Sequence, residues 1–471
     1  MTNVEGRECS SIANDGLERW ILQERVRATD FLLRNASAPG AAPGAIVASP
    51  SQKNPNYYSH WVRDSGIAVA AILSLYRSAQ IPELRQEYFD LLMSFADFSR
   101  TIQHAAVHNG KGLGLPKFTI EGAPDMTDLA LPQDDGPAIR AIELTRLAFI
   151  LLKEDKWDLV RDKLYDAKLP THSVIKTDLE YISHNWRKTC FDCWEEVRGH
   201  HFFTRMLQRK ALVEGAVLAR ALGDSQAARW YLEQAKSLGC ELRLHWDPQN
   251  HFIVATRNRQ DEATGRRSGL DSSVVIATLG GYSDDDFHVN VVYPVDHEQV
   301  LATVTALEKV FESIYPINDP SRRIPGIAMG RFPEDDYDGY RNNSIGNPWM
   351  SLTIGFAMYY YKLAKRYQSL KRIVFSPTSL PFFDRLQPRN TCVPPYKHLR
   401  SGDPRFDEIV DALRRKGDAF LERVRYHINP DGSMSEEMNR VTGFQQGARH
   451  LSLNYAAFLL AVEARRHVSR R

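Results

Sequence analysis

A helical period recurs almost from end to end of this chain, and the loops between the periodic stretches are long and rich in aromatic and charged residues. The stretch "GPAIRAIELTRLAFILLKE" sets Pro137 in a first turn and then aligns Leu144, Leu147, Ala148 and Leu151 on one face. That is the spacing of a helix that buries one stripe. "ALVEGAVLARALGDSQAARWYLEQAKSL" breaks at Gly223 and restarts with Asp224 and Ser225 as candidate caps, which predicts a helical hairpin. Further on, Leu301, Val304, Leu307, Phe311 and Ile314 form one stripe, and Ala448, Leu451, Tyr455, Leu459 and Val462 form another across "FQQGARHLSLNYAAFLLAVEARR". Roughly ten to thirteen such segments are present, with "HFIVAT" and "RIVFSP" as the best strand candidates. No fixed repeat of the solenoid kind occurs.

The loops at 36–60, 105–136, 183–200, 316–348 and 425–445 are too long to be simple connections, so they are either functional or disordered. Their Trp, Tyr and Arg content argues against disorder. Many helices with elaborated loops predict an all-α toroid of paired helices with its site at one mouth. A helical scaffold without a site is the alternative. The proline-rich stretch 367–402 reads as a surface crossing rather than a boundary between domains.

Composition narrows the function classes. With 471 residues, 43% hydrophobic, 25% charged and a net charge of +2, nothing points to nucleic acid or a membrane surface as a partner. The opening "MTNVEGRECSSIANDGLERW" lacks the apolar core of a signal peptide, which leads us to expect a cytoplasmic protein. The basic end "EARRHVSRR" reads as a frayed helix terminus. Cys9, Cys190, Cys193, Cys240 and Cys392 are too sparse for a disulfide framework, though one bridge remains open. Cys190 and Cys193 form one C-x-x-C without the second half of a zinc site, and "YSDDDF" could hold an ion only adventitiously. No cofactor or metal is expected.

Four loop segments carry candidate chemistry. "NPNYYSHWVRDSG" offers Tyr57, Trp61, Arg63 and Asp64, where a forked donor and a carboxylate could grip adjacent sugar hydroxyls while an aromatic face packs on the ring. Taken alone, the Arg-Asp pair would be an ordinary surface ion pair. "DCWEEVRGHHFF" sets Glu195 and Glu196 between Trp194 and a Val-Arg-Gly turn, with Asp192 three residues before Glu195. Such a pair is either a solvated helix end or an acid site in which one carboxyl stays protonated. "GRFPEDDYDGYRNNSIGNPWM" combines Arg331, Asp335 and Trp349, and "PDGSMSEEMNRVTG" supplies Glu436 and Glu437, a pair that could equally be a capping arrangement.

Taken in order, these segments resemble the family-15 glycoside hydrolases, the glucoamylases. "WVRDSG", "WEEVRG", "GRFPED" and "MSEE" follow one another here as the family's loops do, joined by "GLGLPKF", "PQDDGPAIR" and "RKALVEG". The resemblance extends from about residue 17 to about residue 466. It implies a single (α/α)6 catalytic domain over 17–466 behind a polar tail at 1–16, without a starch-binding domain. It implies an oligosaccharide or polysaccharide α-glucoside as substrate, and a monomer is expected. Residue by residue, Glu195 matches the general acid and Glu436 the general base, with Asp192 as the second candidate for the base. An inverting enzyme needs two such carboxyls roughly 6.5–9.5 Å apart, one protonated and one ionised, with a water between. The same matching makes Arg63 and Asp64 the grip on the terminal glucose, with Tyr57 and Trp61 closing the pocket. It gives Glu196 a sugar hydroxyl and a part in raising the Glu195 carboxyl. Arg331, oriented by Asp335, holds a sugar ring, and Trp194 and Trp349 offer packing surfaces. A pocket closed at one end admits only a chain end, and inversion then releases β-D-glucose.

The departures fall on the aglycone side. Leu129 and Leu131 stand where starch-degrading members carry a tryptophan and an arginine, Leu453 replaces a late tryptophan, and Met438 replaces a tyrosine. Cys193 takes the place of a larger aliphatic residue. A same-fold hydrolase specific for isomaltose, dextran ends, trehalose or another small α-glucoside is the alternative, with an inactive carbohydrate-binding protein as a further one.

Overall fold

The computed structural model describes residues 5–127, 130–260, 267–281, 291–386 and 398–468. Twelve long helices organise it: α1 Glu5–Ala36, α2 Val62–Ser78, α3 Pro82–His108, α4 Asp135–Lys153, α5 Val174–Asn185, α6 Phe202–Ala221, α7 Ser225–Arg243, α8 Ser273–Gly281, α9 Glu298–Ile314, α10 Met350–Leu370, α11 Pro404–His427 and α12 Ser452–Arg466. The even-numbered helices pack neighbour to neighbour, and the ring closes where α12 meets α2. Each odd-numbered helix lies outside: α3 on α2, α5 on α4, α7 on α6, α9 on α8, α11 on α10, and α1 on α12. This is a closed (α/α)6 toroid.

Local sequence explains the two layers. Outer α11 starts with Asp403 accepting from the Arg405 N–H at 3.0 Å, has Pro404 at its first position, and ends with Arg425 and His427 in the last turn. Phe406, Ile409, Val410, Leu413, Phe420, Leu421 and Val424 form its single buried stripe. Inner α10 buries Leu352, Ile354, Phe356, Tyr359, Tyr361 and Leu363 all round, because it has neighbours on every side. One apolar cluster runs from Leu17 to Val468. The hairpin turn falls at Gly223, whose φ is +92°, and of the two candidate caps Asp224 accepts from the Ala227 N–H at 3.2 Å.

The polar stretch at the start of the chain is helical from Glu5, as part of α1. Two expectations change. The last helix begins at Ser452 rather than near Phe444, because Gly447 and His450 are left-handed and Gln445–Gln446 pairs with Glu437–Met438. "HFIVAT" and "RIVFSP" do hold strands, but only the short pieces Phe252–Ile253, Thr256–Arg257 and Arg372–Val374. Small antiparallel pairs brace the loops at the mouth: His60–Trp61 with Lys117–Phe118, and Cys190–Phe191 with Arg198–His201, which pairs onward with Thr256–Arg257. No helix among the described residues is long and apolar enough to cross a membrane.

Candidate active site

Every segment that runs into the start of an inner helix brings polar side chains to one mouth: 57–64 before and into α2, 133–135 at α4, 192–196 before α6, 267–271 before α8, 331–349 before α10 and 436–437 before α12. Helix N-termini favour negative charge. Asp271 makes this concrete, since its Oδ1 accepts from the Ser273 N–H at 2.7 Å at the start of α8.

Arg63, in the first turn of α2, is the hub of one half. Its Nη2 donates to Glu195 Oε1 at 2.9 Å, its Nη1 donates to Asp135 Oδ2 at 3.1 Å and Gln133 Oε1 at 2.9 Å, and its Nε faces Asp64 Oδ2 at 3.6 Å. One cation thus serves three carboxyls. Burial, reinforced by the charges of Glu195 and Asp135, pushes the Asp64 carboxyl up to about 6 against the pull of Arg63. Asp135 and Gln133 lie in "PQDDG", and it was the fold that turned that stretch towards Arg63.

Glu195 has a φ of +65°, a left-handed conformation that costs a non-glycine residue about 1–3 kcal/mol. Asp192 holds that turn. Its Oδ1 accepts from the Glu196 N–H at 2.8 Å and the Val197 N–H at 3.0 Å, its carbonyl accepts from the Glu195 N–H at 3.0 Å, and its Oδ2 faces Arg267 at 3.5 Å. These contacts occupy Asp192, the second candidate base. The carboxylate is buried and committed to its own loop. Glu196, expected to meet a sugar hydroxyl, pairs here with Arg267 and, at 2.8 Å, with Arg331 Nη1. Arg267 is a partner that no motif pointed to. It lies against the Phe332 ring, 3.8 Å from its centroid.

The other half centres on Glu436, which is 1% exposed. Tyr57 donates to its Oε1 at 3.1 Å and Tyr337 to its Oε2 at 3.3 Å, and the two phenol oxygens are 3.1 Å apart. Burial pushes this carboxyl up to about 7, and the two hydroxyls together with Arg331 pull against that rise. Gly447, at φ +78°, lies so close that a Cβ there would stand 2.6 Å from Glu436 Oε2. Tyr337 went unrecognised in the sequence although it follows Asp335 by two residues.

Arg331 joins the halves. Its Nε and Nη2 donate to the two oxygens of Asp335 at 2.9 and 2.5 Å, and the rings of Trp194, Tyr337 and Trp349 surround its guanidinium at 5.3–5.5 Å. Trp194 is fixed by its Nε1–H donating to Asp271, whose carboxyl burial pushes up to about 6. Trp194 and Trp349 meet edge to face at 5.7 Å. Trp349 is only 8% exposed, so little of its ring is open for packing on a sugar. Tyr57 and Trp61 stand together, ring centroids 5.6 Å apart, with Lys117 over the Trp61 face.

Cys190, Cys193 and Cys240 are free thiols, so the C-x-x-C is not bridged, and Cys193 packs against the apolar core. Leu131 is half-buried against a small apolar cluster, Leu453 is half-buried in the first turn of α12, and Met438 is fully buried. Leu129, Cys392 and the "YSDDDF" loop lie outside the described residues. Among the described residues no group of three or more His, Cys, Asp or Glu is placed to hold a metal ion.

Comparison with known proteins agrees with this geometry. The profile of "Glycosyl hydrolases family 15" matches residues 26–463. A glucoamylase of Blastobotrys adeninivorans is 36% identical over 444 residues, 93% of this chain and 70% of that protein. Glucoamylase 1 of Rhizopus oryzae is 32% identical over 455 residues, 96% of this chain and 72% of its own. The solved structure of the glucoamylase from Saccharomycopsis fibuligera superposes with a TM-score of 0.87 at 30% identity, covering 96% of both chains. The chain belongs to the glycosyl hydrolases of family 15.

Proposed function

We infer that the protein is an exo-acting glycoside hydrolase of the glucan 1,4-α-glucosidase type that releases β-D-glucose from the non-reducing ends of α-linked glucosides. The observation that carries the residue roles is the contrast between two carboxyls at one mouth: Glu195 in a charged cluster around Arg63, and Glu436 buried between two phenols.

In this reading Arg63 and Asp64 bind hydroxyls of the terminal glucose, and Tyr57 and Trp61 close the far end. Three carboxyls share one guanidinium, and burial with the charges of its neighbours holds the Asp64 carboxyl up. Glu195 is the member of this cluster placed beside the glycosidic oxygen as the general acid. Glu195 donates its proton as the C–O bond breaks. Glu436, ionised and steadied by Tyr57 and Tyr337, takes a proton from a water that attacks the anomeric carbon from the opposite face. The product sugar is the β anomer. Glu196, Arg331 and Trp194 form the rim on which the next sugar rests.

The test is a pair of substitutions and a product assay. Glu195→Gln and Glu436→Gln each lower turnover of maltose by at least about a hundredfold, the low end for general acid–base catalysis, while retaining binding of a non-cleavable sugar. Proton NMR of the first product shows β-glucose ahead of mutarotation. Initial α-glucose, or near-normal turnover in either variant, refutes the assignment.

A further inference from the structure

Glu437 is a carboxyl that hydrolysis as described does not use. It is 0% exposed and begins the short strand Glu437–Met438. Its Oε2 accepts from Asn347 Nδ2 at 3.0 Å, while its Oε1 is buried without a hydrogen-bond partner. Asn347 is oriented for this contact, since its own Oδ1 accepts from the Arg440 N–H at 2.9 Å. Gly339 closes over the group, and a Cβ there would stand 3.1 Å from Glu437 Oε2.

Among the described residues, the charged and titratable groups around it are carboxyls and phenols, with Arg331 as the one cation that pulls against its rise. Glu436 adjoins it on its own strand. Asp335, Arg331 and Tyr337 face it from the segment before α10, and Tyr315 faces it from the end of α9. Arg331 already serves both oxygens of Asp335 and one of Glu196. No ion pair among the described residues reaches Glu437. A buried carboxylate with one amide donor and an anionic neighbour takes up a proton instead of staying ionised. The pair then carries one negative charge, and the donors decide where it rests. Glu436 has two phenol hydroxyls, whereas Glu437 has one amide.

We propose that Glu437 is a neutral carboxylic acid and a positioning residue: it ties the base loop to Asn347 and leaves the single negative charge of the pair on Glu436. This rests on Glu436 as the base. Burial and the charge of Glu436 both act to hold the Glu437 proton. A protonated carboxyl presents one acceptor and one donor, the same layout as a glutamine amide.

Wild type, Glu437→Gln and Glu437→Met are compared as full chains. In denaturant unfolding, wild type and Glu437→Gln match near pH 4. Above the unfolded carboxylate value of about 4.3, the folded state keeps a proton that the unfolded state loses, so stability is lost as pH rises. The wild-type unfolding constant then climbs relative to Glu437→Gln by up to about tenfold per pH unit. A ratio that does not change with pH overturns the proposal. In initial rates of glucose release from maltose, Glu437→Met loses at least about tenfold in kcat and Glu437→Gln regains most of it, as loss and restoration of the Asn347 hydrogen bond require. The acid-side midpoint of kcat/KM in Glu437→Gln stays within about 0.3 of wild type. A fall of one unit or more shows that Glu437 is ionised in the wild type, which also overturns it. If wild type releases no glucose, the hydrolytic reading fails, while the unfolding comparison still decides the state of Glu437.

Discussion

Tyr57→Phe isolates one hydrogen bond at the proposed base. The Tyr57 hydroxyl donates to Glu436 Oε1 at 3.1 Å, and no other described side chain is recorded on that oxygen. Hydrogen bonds to charged groups are worth about 1.5–3 kcal/mol. Tyr337, 3.3 Å from the other carboxylate oxygen and 3.1 Å from the Tyr57 hydroxyl, remains to compensate in part, so we take the lower end, about 1.5 kcal/mol. At 1.36 kcal/mol per unit this is a shift of about one pH unit. The sign is fixed by the donor: a hydroxyl that donates to the ionised form holds the proton affinity down, so its removal raises it. Burial already pushes Glu436 up to about 7, and the base must be ionised to act. The acid-side midpoint of kcat/KM therefore moves to higher pH, and well below that midpoint the variant is about tenfold slower than wild type, with a smaller loss above it. The assay is initial glucose release from maltose across pH 4 to 8 at constant ionic strength. Because Glu436 and Glu437 titrate as a pair, the midpoint belongs to the pair. A midpoint that stays put or moves down, in a variant that unfolds at the wild-type denaturant concentration, refutes the reasoning.

Two further outcomes test other parts of the site. Arg63→Met leaves Asp64, Asp135 and Glu195 around an apolar side chain; removing one partner of a buried pair costs about 3–5 kcal/mol, so urea unfolding shifts accordingly and Asp135→Asn restores part of the loss. A change below about 1 kcal/mol would mean that solvent screens the cluster. On the aglycone side, half-buried Leu131 and Leu453 offer no aromatic face or forked donor, so kcat/KM rises weakly or not at all from maltose to maltoheptaose. A steep rise with chain length shows that other residues build those subsites.

The layers of the toroid and the segments that line its mouth were legible along the chain, because both are local signals. Leu144, Leu147, Ala148 and Leu151 are buried in α4 as the stripe predicts, but this inner helix also buries every residue from Asp135 to Thr145, while Gly223 followed by Asp224 does end one helix and start the next. The last helix was misjudged where a local period continued through Gly447 and His450, whose left-handed backbones belong to a hairpin with Glu437–Met438. Motif order likewise brought Arg63, Glu195, Arg331 and Glu436 into one list of candidates, and the fold brings them to one mouth. What each carboxyl does there depended on partners distant in sequence. Arg267 reaches Glu196 across 71 positions, and Tyr57 reaches Glu436 across 379. Asp192 clasps a strained turn through two backbone N–H groups and faces Arg267, contacts that its place in the motif did not show. Glu436 and Glu437 are adjacent and chemically identical, and only the packed structure separates them, by giving one two phenols and the other an amide and an empty bond. Hydrophobic period is a property of neighbours along the chain, whereas desolvation and the choice of hydrogen-bond partner are properties of neighbours in space.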